Sequence, residues 1–259
     1  MTRTMFTALL AAALVAPVIA QSPAGWQLRV DRSTNASDPD GAGDIKFTTI
    51  PGGFKAVNPT AAIYWHPNNV AKGNYTLRGT FKLNEPSGHV NFYGLFVGGR
   101  ALTGAEQNYT YFMVAQDGSY LVRRRTGDRM PDPNAAPGGR MGGGGAPGMD
   151  IAQAPAAPAA GQGMPGMGGG RMGGRGGRGG PQAITENIAR AQSPAVRQPG
   201  ADGTSVNALE VRVSATTIDF AVNGTVVHTM PKATIDTDGI YGIRVNHLLN
   251  VDVTEFGAK

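Results

Sequence analysis

The segment from Val206 to Phe256, VNALEVRVSATTIDFAVNGTVVHTMPKATIDTDGIYGIRVNHLLNVDVTEF, confines the chain to antiparallel β structure. Apolar side chains recur at every second position, at Leu209, Val211 and Val213 and again at Ile218, Phe220 and Val222, which is the period of a half-buried strand. Asn223-Gly224 interrupts the alternation. That dipeptide tolerates the two positive φ angles of a type I′ turn, so a hairpin with strands at 216–222 and 225–230 is predicted.

The chain upstream repeats the pattern. Tyr75, Leu77, Phe81 and Leu83 alternate in NYTLRGTFKL, and 90–97, VNFYGLFV, is a longer apolar run suited to a central strand covered on both faces. Further strands are predicted near 26–30, 45–49, 53–57, 61–65, 108–115 and 119–125. Short strands, closely spaced Gly, Pro and Asn turn signals and no convincing 3.6-residue apolar period indicate a β-sandwich or jelly roll.

A different composition intervenes between the two strand-bearing parts. Of the 39 glycines, 19 lie between Gly138 and Pro181, in a tract without aromatic residues and with few aliphatic ones. Too little apolar area is available there to offset ordering entropy, so a mobile, low-complexity insertion over 130–200 is expected. Ala183–Gln192 is predicted to form a short helix within it. Loop closure costs grow only logarithmically with length, so 21–129 and 201–259 are expected to form one sandwich domain around the insertion. The net charge of +5 is also unevenly distributed: six arginines oppose three acids in 130–200, and outside that segment and the first twenty residues the balance is +1.

Residues 1–20 combine Arg3, an apolar run from Phe6 to Val15 and small residues ending at Ala20, the layout of a secretory signal. The run is shorter than the about 20 residues needed to cross a bilayer. An exported chain, periplasmic or extracellular, with no transmembrane segment after signal removal is therefore expected. Without cysteine there is no disulfide, thiolate metal site or cysteine nucleophile.

The hairpin FAVNGTVVHT, the strand GIYGIRV and the terminal NVDVTEF together resemble the end of a concanavalin A-like, laminin-G-like jelly roll. The blocks AAIYW, GNYTLRGTFKL, FYGLFVGG and YTYFMVAQDGSYLVRRR are similar to exported bacterial proteins distantly like the 3-keto-disaccharide hydrolase domain. The resemblance implies an all-β antiparallel sandwich and an association with sugars, as a binding module or as a hydrolase. The asparagine-serine-glycine segment of the hydrolase group has no counterpart here.

Catalytic signatures are sparse. A retaining glycosidase needs two carboxylates about 5 Å apart. The five glutamates, at 85, 106, 186, 210 and 255, are scattered, and Asp236 and Asp238 read as the turn before GIYGIRV. None of the four histidines, at 66, 89, 228 and 247, is paired at a metal-ligand spacing, although His66 and His247 fall at predicted strand ends. Asp38-Pro-Asp40-Gly41-Ala42-Gly43-Asp44 resembles a calcium loop without meeting the EF-hand pattern, and reads first as turn chemistry. GGGRMGGRGGRGG resembles nucleic-acid-binding RGG tracts but lacks their interleaved aromatics, so no nucleic-acid partner is expected.

Two features suit a carboxylate or a sugar, against the plainer readings of a salt-bridged outer face near Asp128 and of aromatic core packing. Arg123 and Arg125 project from one face of a strand with Arg124 opposite, and pairs such as Tyr109 and Tyr111 supply flat aromatic area. The expected ligand-binding set is Trp65, Tyr93, Tyr111, Arg123, Arg125, Arg244 and His247, on a concave sheet and its end loops, with no metal and no cofactor required. A glycan or an envelope or extracellular protein is the expected partner. A hydrolase and a protein-interaction module remain the alternatives.

Overall fold

The computed structural model describes residues 23–33, 37–127 and 184–259, so the signal expected at 1–20 and the glycine-rich tract at 138–181 lie outside the described residues. The strands are β1 (Gln27–Asp31), β2 (Lys46–Ile50), β3 (Gly53–Asn58), β4 (Ala61–Ala71), β5 (Tyr75–Glu85), β6 (Phe92–Arg100), β7 (Asn108–Ala115), β8 (Ser119–Thr126), β9 (Ile184–Gln192), β10 (Ser205–Val213), β11 (Thr217–Val222), β12 (Thr225–Pro231), β13 (Gly239–Val245) and β14 (Leu249–Ala258). A 3₁₀ turn at Lys232–Thr234 is the one helical piece among the described residues, where no helix is long and apolar enough to cross a membrane.

The strands form two seven-stranded antiparallel sheets, ordered β1-β4-β13-β6-β7-β8-β9 and β12-β11-β10-β5-β14-β3-β2, as the jelly-roll reading anticipates. The alternation seen in the sequence becomes the inter-sheet core. Leu77, Phe81, Leu83, Leu209, Val211, Phe220, Val251 and Val253 of the second sheet pack against Tyr64, Tyr93, Leu95, Phe112, Val122, Ile243 and Val245 of the first. Burying each such side chain favours the fold by about 1.5–3 kcal/mol. The Asn-Gly turn forms as read, with φ of 49° at Asn223 and 84° at Gly224, joining β11 to β12.

The predicted helix at Ala183–Gln192 is instead strand β9, paired antiparallel with β8 from Ser119↔Gln192 to Thr126↔Ile184. A helix of ten residues is marginal in water. The open edge of β8 offers a full ladder, and Ile188 and Ala189 also pack against the core. The following residues belong to the sandwich as well, with Val196 buried in the inter-sheet core. The described sandwich thus takes in 184–200, which composition alone assigns to the insertion.

Candidate functional site

The first sheet carries a second buried cluster on the face turned away from the inter-sheet core, comprising Ile63, Trp65, Phe92, Phe96, Leu102, Tyr109, Tyr111, Met113, Ala115 and Leu121. Five of the seven expected binding residues sit on this face. Cross-strand pairing sets Tyr109 opposite Arg125 and Tyr111 opposite Arg123. The same pairing sets Trp65 opposite Gly242, and Arg244 falls two residues along the same face of β13. Arg244 places its guanidinium over the Tyr111 ring, 4.9 Å from the centroid, and donates to the Tyr109 hydroxyl at 2.7 Å. It also donates to Asp31, whose carboxylate accepts from Arg125 at 2.9 Å. Arg123 is held by the side-chain carbonyl of Asn187 on β9.

Burial and charge reinforce each other here. Burial disfavours both charged forms, yet Arg244 and Arg125 together hold the Asp31 carboxyl below its ordinary value, while the Tyr109 hydroxyl and Asp31 keep Arg244 above its own. Trp65 and Tyr111 are 2% and 4% exposed, so this face is a packed aromatic layer sealed by an ion cluster. The remaining two expected residues lie elsewhere. Tyr93 points into the inter-sheet core, against Phe81, with its hydroxyl accepting from Asn207 at 3.4 Å. Burial pushes that hydroxyl up from its usual range.

His247 is at the end of the sandwich, in the turn between β13 and β14, where Leu248 adopts a φ of 54°. Two further connections converge on it. Asn246 donates from its backbone to the carbonyl of Phe92 at 3.0 Å, drawing the turn against the segment that carries His89 and Asn91. The 37–44 segment is seated from the other side. Gly41 donates to the Pro59 carbonyl at 2.8 Å, and a Cβ at Gly41 would lie 2.6 Å from Leu248, so only glycine fits without displacement. Ser33 donates from its backbone to Asp40 at 2.9 Å and from its hydroxyl to the Asp38 carbonyl at 2.6 Å. As a result Asp38 Oδ1 lies 2.9 Å from His89 Nε2 and 3.2 Å from His247 Nε2, and the two Nε2 atoms are 3.0 Å apart. Asp40 Oδ1 stands 3.4 Å from Nδ1 of His247.

A cleft of about 480 Å³ opens beside this group, lined by Ala42, Gly43, Asp44, Lys46, Val57, Asn58, Pro59, Glu85, Leu248, Leu249 and Asn250. Its floor is one cross-strand row of the second sheet, in which Lys46 pairs with Val57, Val57 with Asn250 and Asn250 with Glu85. Asn58 beneath it is fully engaged: its amide donates to the carbonyls of Thr60 and Val245, and its oxygen accepts from the Tyr64 hydroxyl at 2.6 Å. Lys46, Glu85 and Asp44 are exposed.

The sequence reading singled out His247 but not its neighbours. In the sequence Asp38 reads as turn chemistry, and His89 has no partner at a recognisable spacing, because 158 positions separate it from His247. The clue that was present is the occurrence of an Asp-rich turn and two histidines at three predicted strand ends.

No protein-family model and no curated protein matches the chain. Among solved structures, it is similar to a GH16 protein of the Bacteroides ovatus mixed-linkage glucan locus in complex with a G4G4G3G product, at 8% identity and a TM-score of 0.48, with 91% of this chain and 94% of that one covered. It is similar to the catalytic domain of an endo-1,3-β-glucanase (laminarinase) from Thermotoga petrophila at 10% identity and a TM-score of 0.37, covering 91% and 82%. Sheep galectin-11 in complex with glycerol gives 11% identity and a TM-score of 0.36, covering 79% and 99%.

Proposed function

We propose that the protein is an exported glycan-binding module that takes a sugar chain in the cleft at the end of the second sheet. The observation carrying this reading is the row Lys46–Val57–Asn250–Glu85 with Asp44 beside it. A sugar ring presents hydroxyls that need both donors and acceptors, and C–H faces that favour apolar contact. The row offers an ammonium donor, a carboxylate acceptor and an amide that does both, while Val57, Pro59 and Leu248 supply apolar surface. The cleft volume lies in the range of about 300–1,000 Å³ common to small-ligand sites. The packed outer face of the first sheet, with its arginines engaged by Asp31 and Asn187, supports placing the ligand here and not among Trp65, Tyr111 and Arg244.

A glycan-array screen of the mature chain, followed by calorimetry on any hit, tests the reading. Selective binding is expected, with Lys46→Ala, Glu85→Ala and Asn250→Ala each weakening it about 5–10-fold, the scale of one lost hydrogen bond. A blank array on a cooperatively folded protein overturns it in favour of a protein partner. Release of reducing ends from the bound glycan moves it to the hydrolase class.

A further inference from the structure

We propose that Asp38, His89 and His247 form a binding site for a divalent transition-metal ion of the zinc class. The proposal stands on the geometry of these residues and does not depend on the glycan reading. Asp38 Oδ1 and the two Nε2 atoms form a triangle with edges of 2.9, 3.0 and 3.2 Å. Ligand atoms bonded to zinc at about 2.0–2.2 Å in a tetrahedral array lie about 3.3 Å apart, so the triangle needs only slight expansion to become one face of that tetrahedron.

Hydrogen bonding alone does not explain the triangle. An imidazole nitrogen has one in-plane position, filled by a proton or by a lone pair, and an ionised carboxylate oxygen carries no proton. If both Nε2 atoms are protonated, their hydrogens face each other across 3.0 Å; if one is, a lone pair faces the carboxylate. Every such assignment leaves at least one edge repulsive. Asn91 Nδ2 lies 3.0 Å from the same nitrogen and 3.2 Å from Ser87 Oγ, the acceptor left to it when His89 Nε2 binds an ion. A cation bound to all three atoms, seated off the plane of the triangle, offsets the repulsion along every edge.

The surroundings match. Asp40 stands behind the Nδ1 side of His247, the arrangement that fixes the tautomer and orientation of a ligating imidazole. His247, Asp38 and Asp40 are 8%, 16% and 16% exposed at the side chain, while His89 at 34% leaves a route in from solvent. Two imidazoles and one carboxylate suit zinc and its neighbours, whereas calcium takes oxygen ligands, so the Asp38–Asp44 turn serves a different ion from the one its sequence resembles. With three protein ligands among the described residues, a coordination position remains for water or for an oxygen of a bound molecule. The metal joins the 37–44 segment, the 87–91 segment and the 246–248 turn, two of which also wall the cleft.

The test is calorimetric titration of the chelator-treated mature chain with zinc, paralleled by cobalt as a coloured probe. One equivalent is expected to bind, with visible absorption of the tetrahedral cobalt type and a raised melting temperature. His89→Gln and Asp38→Asn, chosen because both side chains are partly exposed, are expected to abolish the cobalt band while leaving the apo-protein circular dichroism spectrum unchanged. Asp40→Asn is expected to weaken binding about 10–100-fold without abolishing it. Absence of a binding isotherm for folded wild type overturns the site, as does undiminished binding by both His89→Gln and Asp38→Asn.

Discussion

Asp31 on β1 accepts a hydrogen bond from Arg125 on β8 at 2.9 Å, although four strands lie between their own in the first sheet. Flat, five strand spacings of about 4.8 Å would hold the two backbones some 24 Å apart. The sheet therefore curls, and its ends approach across the outer face. Arg29, two residues before Asp31, donates to the carbonyls of Leu102 and Gly104 at 3.1 and 2.7 Å, drawing the β6–β7 connection over the same layer.

Asp31 accepts from both Arg125 and Arg244, so Asp31→Ala removes the carboxylate these two guanidinium groups share in a low-dielectric layer. A loss of about 3–5 kcal/mol is expected, measured by urea unfolding. The carboxyl lies below its ordinary value in the folded state, so its contribution is complete above about pH 4 and disappears as pH falls through the folded value. Acid unfolding of wild type is expected to steepen below about pH 4, and of Asp31→Asn to do so less. Identical acid profiles for the two proteins would show that the ion cluster adds nothing to stability.

The ends of β8 and β9 are ladder partners at Thr126↔Ile184, so the 57 residues between them connect the two strands of a single hairpin. Replacing 128–183 by a three-residue turn after Gly127 shortens that connection to four residues, which lowers the loop-closure cost by about 2 kcal/mol. The shortened protein is expected to keep the far-ultraviolet spectrum of wild type and to melt at the same temperature or higher. A broad, lowered transition would mean that the excised segment packs on the sandwich.

Most of the strands were legible because one period, two residues, recurs in segments flanked by unambiguous turns; β7 at Asn108–Ala115 matches its predicted bounds at both ends. Strand β9 was not legible. ITENIARAQ has the composition of a helix, and only the neighbouring edge of β8 makes it a strand. Facing was legible for Arg123 and Arg125 but not for Tyr93, because β6 is apolar on both sides and its alternation carries no sign. The Asp38–His89–His247 group was hidden by topology, since its members come from three separate connections.

Asn223 does more than adopt the turn conformation. Its side chain accepts from the Ala208 amide at 2.9 Å and donates to the Ala195 carbonyl at 2.8 Å and to Asn207 at 2.9 Å, tying the hairpin to the segment that follows β9. Asn223→Gly keeps the positive φ and removes only these bonds, so a loss of about 2–3 kcal/mol is expected at roughly 1 kcal/mol per bond. Asn223→Ala adds about 1–2 kcal/mol of left-handed backbone strain. An Asn223→Gly protein within about 0.5 kcal/mol of wild type, by urea unfolding, would reduce the residue's role to its φ angle.

His228 on β12 faces Phe220 across the ladder, with ring centroids 5.9 Å apart, and its Nε2 is buried with no hydrogen-bond partner among the described residues. Burial holds its pKa below the usual 6.5, so the folded protein takes up this proton less readily than the unfolded chain. Its neutral form therefore supports the fold fully above about pH 6.5, and that support declines as pH falls towards the folded value. The difference between wild type and His228→Leu isolates the one residue: the urea midpoint of wild type is expected to fall relative to the variant between about pH 7 and pH 5. A difference constant across that window would show that His228 is protonated as easily in the sandwich as outside it.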